Sequence, residues 1–106
     1  MMGGVEFSIR GEIWYWRGPS PFHFVTVPPD AAAEISDRSS ELTYGWGCIP
    51  ATVRLGDTTF TTSLFPKDGG YVVPMKVAAR RAERVDLGDV VDLVLVLNPG
   101  AALRRR

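Results

Sequence analysis

YVVPMKVAARRAERVDLGDVVDLVLVL, residues 71–97, contains two β-strand patterns with a helix pattern between them, and the rest of the chain can be arranged around it. Its first three residues favour a strand, which Pro74 ends because proline has no N–H to give a strand ladder and suits the first turn of a helix. Its last eight residues, Val90–Leu97, are apolar at nearly every position except Asp92. This run predicts a strand that is covered on both faces.

The helix pattern lies directly after Pro74. Apolar residues three or four positions apart predict one buried helix face, which consists of Met75, Ala78, Ala79 and Ala82. Charged residues fall on the opposite face of the same helix, and these are Lys76, Arg80, Glu83 and Arg84. After the helix, Gly88 is free to adopt a positive φ and Asp89 can accept hydrogen bonds from local N–H groups, so the chain is predicted to turn there.

The first half of the chain predicts two strands and a helix. Apolar and polar residues alternate from the start of Val5–Trp16, which is the pattern of a half-buried strand, with Gly11 as a bulge or a bend. A second strand, Phe22–Val27, ends at two prolines. A short helix is predicted over Asp30–Ile35, with Asp30 itself as the N-cap.

A hairpin is predicted in the middle of the chain. Cys48–Leu55 and Thr58–Leu64 have strand patterns, and Gly56 with the aspartate after it suits a tight turn with positive φ. The composition of residues 66–70 (PKDGG) predicts another turn, and residues 36–47 predict a polar loop.

The segments VTVPPDAAAEI and YVVPMKVAARR suggest an internal repeat, because each contains a strand, a proline and an alanine-rich helix. Pro74 follows Pro28 by 46 residues. A real repeat implies a pseudo-symmetric barrel with a helix closing each end. The predicted fold class is therefore mainly β: a small closed or split β-barrel capped by two short helices.

Composition narrows the possible classes of protein. With 106 residues, 45% hydrophobic and 23% charged, the chain predicts one domain over residues 1–98 and a frayed basic tail over residues 99–106. The formal net charge of zero provides no global field for nucleic acid or an anionic membrane. No apolar run can span the roughly 30 Å hydrocarbon layer, so no membrane association is expected. The N-terminal residues show no secretion signal, so we expect a cytoplasmic protein.

Four segments carry a resemblance to a known family: FVTVP, YGWGCIPATVRLGDTTFTTSLFP, GGYVVPMKVAARRA and VDLGDVVDLVLVL. They resemble the small prokaryotic family catalogued as domain of unknown function nineteen-oh-five, and the likeness covers residues 7–97. The resemblance implies a fold similar to the double-split β-barrels, which include transition-state regulators and antitoxins that bind DNA as dimers. Because no catalytic or binding residue is established for the family, the resemblance assigns no role to any position of this chain.

Few residues of the sequence indicate catalysis or metal binding. His23 is the single histidine and lies in the aromatic strand PFHFV, where a packed structural role is the simplest interpretation. Cys48 is the single cysteine, which excludes an intramolecular disulfide and a multi-cysteine zinc site. No EF-hand loop or phosphate-binding loop is present. The sequence therefore predicts no catalytic residue, no metal and no cofactor.

Two groups of residues are candidate binding sites. The surplus of aromatic residues in the first half either plugs the barrel core, which we expect for the tryptophans, or lines a groove. The candidate ligand-binding residues are Trp14, Trp16, His23 and Trp46. Clustered cations form either an anion site or a solvated helix face. The candidate anion-binding residues are Lys67, Lys76, Arg80 and Arg81.

Three functional classes remain open. The first is a noncatalytic module, monomeric or homodimeric, that binds a small molecule or a protein. The second is nucleic-acid binding by fold analogy, which the basic helix supports and the neutral net charge opposes, so that specific binding of duplex DNA is not expected. The third is a small enzyme that uses His23 and a carboxylate such as Glu12.

Overall fold

A computed structural model of the chain describes residues 5–18, 22–38 and 48–97. Within these ranges six strands close into a barrel in the order β1-β2-β5-β4-β3-β6, with every neighbouring pair antiparallel. The structure confirms the predicted mainly β fold, a closed barrel with two helices. The elements are β1 Val5–Trp16, β2 Phe22–Thr26, α1 Pro29–Asp37, β3 Ile49–Leu55, β4 Thr58–Lys67, β5 Gly70–Pro74, α2 Val77–Glu83 and β6 Val90–Leu97.

Aliphatic side chains fill the barrel, since each strand points alternate residues inward. Each fully buried Val, Leu or Ile contributes on the order of 2 kcal/mol to folding. Ala32, Ile35 and Ala79 join this core, so both helices pack on the barrel. Trp14 and Trp16 are only partly buried and are not in the core, so the expectation that tryptophans plug the barrel is wrong for these two. Trp46, the third, lies outside the described residues. The innermost side chains belong to Ile13, Val25, Ile49, Val53, Leu64, Val73, Leu93, Leu95 and Leu97.

The prediction that β6 is covered on both faces is also wrong. Val91, Leu93 and the two leucines after them are buried, whereas Val90 is 62% exposed and Asp92 is exposed. A closed barrel has a single interior, so only one face of each strand enters the core. The apolar outward residues of β6 are covered only in part.

Gly11 lies where β1 changes partners. Residues 5–12 of β1 pair with β6 and residues 13–16 pair with β2, in registers that run on without an extra residue. Gly11 therefore makes no bulge, contrary to one of the two predicted alternatives. A Cβ atom at this position would lie 2.9 Å from Cγ1 of Val25, so glycine permits the close approach of the two strands.

Both helices begin differently from the sequence prediction. Asp30 is not the N-cap of α1, because Pro28 occupies that position and the Asp30 carboxylate accepts a bond from the N–H of Ala31 at 3.1 Å. Pro74 is not in the first turn of α2, since it stays in β5 opposite Phe24.

The buried face of α2 is also narrower than predicted. Met75 and Ala79 are buried as expected, but Ala78 and Ala82 are exposed. The side chain of Arg80 is only 11% exposed, because its guanidinium donates to Asp86 and to the carbonyl of Met75.

The predicted turns are present, but the one predicted over residues 66–70 is confined to Asp68 and Gly69, since β4 runs to Lys67 and β5 begins at Gly70. Gly56 has a φ of 58° between β3 and β4, and Gly88 has a φ of 90° before β6. A carboxylate oxygen of Asp89 accepts a bond from the N–H of Asp86 at 2.8 Å, which fixes the turn around Gly88. The structure confirms both the hairpin and the positive φ of Gly88.

The barrel consists of two halves with the same order of elements, β1-β2-α1-β3 and β4-β5-α2-β6. Where β2 meets β5, the N–H of Val27 donates to the carbonyl of Tyr71 at 3.0 Å and the N–H of Met75 donates to the carbonyl of His23 at 2.8 Å. Met75 follows Val27 by 48 residues, and Tyr71 follows His23 by 48. The structural repeat thus differs from the predicted offset of 46, which had aligned two prolines that are not equivalent.

Candidate ligand-binding site

Four aromatic side chains cover the outside of the barrel on β1 and β2. The rings of Trp14, Trp16 and Phe22 lie 5.4, 6.3 and 5.8 Å from that of Phe24, measured between centroids. Phe24 is only 3% exposed although it points away from the barrel interior. Tilted rings at these separations attract one another beyond simple burial. We call this group the aromatic face, and its members are Trp14, Trp16, Phe22 and Phe24.

Polar contacts hold the two tryptophans of the aromatic face. The indole Nε1 of Trp14 donates to Oγ1 of Thr26 at 2.9 Å. The ammonium nitrogen of Lys67 lies 5.2 Å from the centre of a Trp16 ring, within the range of a cation–π interaction, and 4.0 Å from a carboxylate oxygen of Asp68. The orientation of both indoles is therefore set before any ligand arrives.

A groove of about 500 Å³ opens beside the aromatic face, between α1, the strands β2 and β5, and the turn that joins β4 to β5. We call it the α1 groove. Trp14 forms part of its wall, together with apolar groups from Pro28, Ala32 and Tyr71. The volume is within the usual range for small-molecule sites. Its polar lining includes Thr26, Ser36, Asp37, Lys67 and Asp68.

Only two of the four predicted ligand-binding residues lie at or beside the α1 groove. Trp14 lines the α1 groove, and Trp16 is joined to the groove through Lys67. The side chain of His23 points to the inward side of β2, opposite to the aromatic face. This follows because His23 is the neighbour of Phe24 in β2 and successive side chains of a strand point to opposite faces. Trp46 lies outside the described residues.

His23 belongs to a separate polar cluster near one end of the barrel. Its Nε2 is 3.5 Å from Oδ1 of Asp86, and that oxygen lies 3.0 Å from Nη1 of Arg80. Nε of Arg80 also donates to the carbonyl of Met75 at 3.3 Å. The backbone N–H of Leu87 is the main cause of a lowered pKa of Asp86, which the charges of Arg80 and His23 lower further.

The predicted anion-binding residues do not form a single site, because they line different cavities. Lys67 is at the α1 groove, whereas Arg80 is held by Asp86 and contributes little free charge. Lys76 is exposed and lines another cavity, and Arg81 lines a third cavity with Arg84. Within residues 5–18, 22–38 and 48–97, no group of three His, Cys, Asp or Glu side chains could hold a metal ion.

Two site features were missed by sequence reasoning. Asp86 meets His23 only because the barrel brings residues from its two halves together, and no local pattern indicates this. The outward direction of the tryptophans did have a signal. Trp14 and Trp16 share the strand phase of Ser8 and Arg10, which are polar and exposed.

Comparison with known proteins identifies a family. The family described as "Domain of unknown function (DUF1905)" matches residues 10–95. The chain matches no curated protein and no solved structure. Among the helices that the structure describes, none is long and apolar enough to cross a membrane. Since the match covers most of the chain, the protein belongs to the family described as domain of unknown function (DUF1905).

Proposed function

We propose that this protein is a noncatalytic binding module whose α1 groove holds a small, flat, largely apolar molecule. The observation that carries the proposal is the position of Trp14, which lies on the outside of the barrel at the wall of a groove of about 500 Å³. A tryptophan that lies outside a mainly aliphatic core offers a large apolar surface to a ligand.

The groove provides both apolar contact and polar anchoring. Pro28, Ala32 and the Trp14 indole form apolar walls, on which a flat ring can stack. Ser36 and Asp37 of α1 provide acceptors near one side, which would fix the orientation of a polar substituent. Because Thr26 already holds the Trp14 indole, little conformational entropy is lost when a ligand binds.

The position of His23 supports a noncatalytic role. Its imidazole has Asp86 as its charged neighbour and the ring of Tyr15 at 5.0 Å between centroids. It points to the side of β2 that faces away from the α1 groove. A general base would need to be within hydrogen-bond reach of a ligand there, and His23 is not.

The proposal can be tested by titrating 2-naphthol, a neutral flat probe, against ¹⁵N-labelled protein and following the indole N–H signals. We expect the Trp14 signal to move and Trp14→Phe to weaken binding about three- to tenfold, since part of the stacking surface is lost. His23→Gln is the matched control and should bind as the wild type does. An unmoved Trp14 signal, or a Trp14→Phe variant with unchanged affinity, would contradict the proposal.

A second candidate function is binding to a polyanion such as nucleic acid through α2. Lys76, Arg81 and Arg84 are exposed and form no ion pair with any residue in the described ranges. The nearby acidic groups are engaged within the protein, since Glu83 accepts a bond from Oγ1 of Thr58 at 2.6 Å and Asp86 faces Arg80. Because Asp86 is paired with Arg80, its charge opposes the cations of α2 and its two flanking residues less than the sequence suggested.

A further inference from the structure

A second, smaller cavity of about 290 Å³ opens where β4 separates from β5. The β4–β5 ladder ends at the pair Phe65 and Val72, and β5 beyond that pair bonds only to β2. Pro74 has no N–H to extend the ladder, so a gap is left on the outside of the barrel. We call this cavity the β4 slot, and its lining includes Phe22, Thr62, Phe65, Pro74, Met75 and Lys76.

The β4 slot is the counterpart of the α1 groove in the other half of the barrel. Trp14 pairs with Phe24, and Phe65 pairs with Val72, which follows Phe24 by the same 48 residues that relate the two halves. Phe65 therefore occupies the place of Trp14. Thr26 and Val27 of the groove likewise correspond to Pro74 and Met75 of the slot. The fold thus forms two related cavities rather than one.

The two cavities differ in charge. The α1 groove has two carboxylates, of Asp37 and Asp68, and its one lysine already interacts with Trp16 and Asp68. The β4 slot has a single charged side chain in its lining, that of Lys76. Lys76 is exposed and has no ion pair within the described part of the chain. The slot therefore favours an anion, and the groove does not.

We propose that the β4 slot is a second ligand site, which takes a flat apolar molecule carrying one carboxylate. The ring of such a molecule packs against Phe22, Phe65 and Pro74, and its carboxylate meets the ammonium group of Lys76. This site does not depend on the function proposed for the α1 groove, because no residue of that groove lines the slot.

The test uses 1-naphthoate as the probe, with 1-naphthamide as its neutral analogue. The protein carries ¹³C-methyl methionine, so that the Met75 methyl signal reports on the slot and the Trp14 indole signal reports on the groove. Lys76→Gln removes the charge at the slot. Lys67→Gln is a matched control, because the chain has two lysines and Lys67 lines the other cavity.

We expect 1-naphthoate to shift the Met75 signal and to bind more tightly than 1-naphthamide. Lys76→Gln should weaken naphthoate binding about three- to tenfold and remove its preference over the amide, whereas Lys67→Gln should change neither. The proposal is overturned if Lys76→Gln and the wild type bind naphthoate equally, or if naphthoate moves Trp14 and leaves Met75 in place. A failure of 2-naphthol at Trp14 would overturn only the function of the groove.

Discussion

Two aspartates on the barrel surface have lowered pKa values because of their partners. Arg10 lies directly opposite Asp92 in the β1–β6 register, and its Nε and Nη2 donate to the two carboxylate oxygens at 2.8 and 3.1 Å. This hydrogen bond is the main cause of the lowered pKa of Asp92. For Asp86 the main cause is the N–H of Leu87, followed by the charge of Arg80. Both carboxylates are therefore held in the ionised form by the fold.

The sign of the pH dependence follows from these shifts. A carboxylate with a lower pKa in the folded state stabilises the protein above its unfolded pKa of about 3.9, and this stabilisation is lost as the pH falls through the folded value. We expect Asp86→Asn and Asp92→Asn to lose less stability than the wild type between about pH 6 and pH 2.5. Urea unfolding across that range measures the loss. Asp57→Asn, in the exposed β3–β4 turn, is the control for removing one charge, and wild-type behaviour of both test variants would contradict the expectation.

At the scale of elements, the turn between α2 and β6 depends on Gly88. Its φ of 90° is unfavourable for residues with a Cβ atom, and a Cβ there would have no neighbour within 4 Å. Gly88→Val should therefore cost about 1–3 kcal/mol through the backbone alone and lower the melting temperature. Gly70→Ala is a suitable control, since Gly70 has no positive φ and its Cβ would make an ordinary contact with Ala32 at 3.8 Å. Equal melting temperatures of Gly88→Val and the wild type would show that the turn relaxes at no cost.

Local patterns were sufficient for strands and turns but not for the ends of the helices. Alternation along Val5–Trp16 and the glycines at 56 and 88 correspond to features that neighbouring residues determine. Pro74 suits both a strand end and a first helical turn, and only its pairing with Phe24 decides between them. The low exposure of Arg80 could not be predicted either, because its partner Asp86 is placed by the Gly88 turn.

The candidate sites depend on contacts between the two halves, which the sequence shows only indirectly. The α1 groove needs Trp14 of β1, Pro28 before α1 and Lys67 of β4 to meet, and no spacing in the sequence indicates that they do. The repeat could have indicated paired cavities. Its true offset of 48 residues was hidden, because the matching prolines suggested 46.

At the scale of the whole molecule, the surface charges predict weak binding to DNA. Lys76, Arg81 and Arg84 can neutralise about three phosphates, so log affinity should fall with log salt at a slope of about −3. We expect sequence-independent binding to labelled duplexes, measured at two salt concentrations with and without residues 104–106. Arg81→Glu should weaken it, and Arg54→Glu, outside α2, serves as the control. Sequence-selective binding tighter than about 100 nM at physiological salt would instead place the protein among specific DNA-binding proteins.

The pairing of β1 with β6 also determines how the chain can fold. This pairing places Val5 opposite Leu97 and Glu12 opposite Val90, so the barrel closes only when segments from opposite ends of the sequence meet. Each such contact costs loop-closure entropy before it contributes any stability. A topology with such high contact order is typical of chains that fold in milliseconds to seconds rather than microseconds. The local hairpin of β3 and β4 can form early, whereas β1 and β6 can pair only after both ends of the chain have come together.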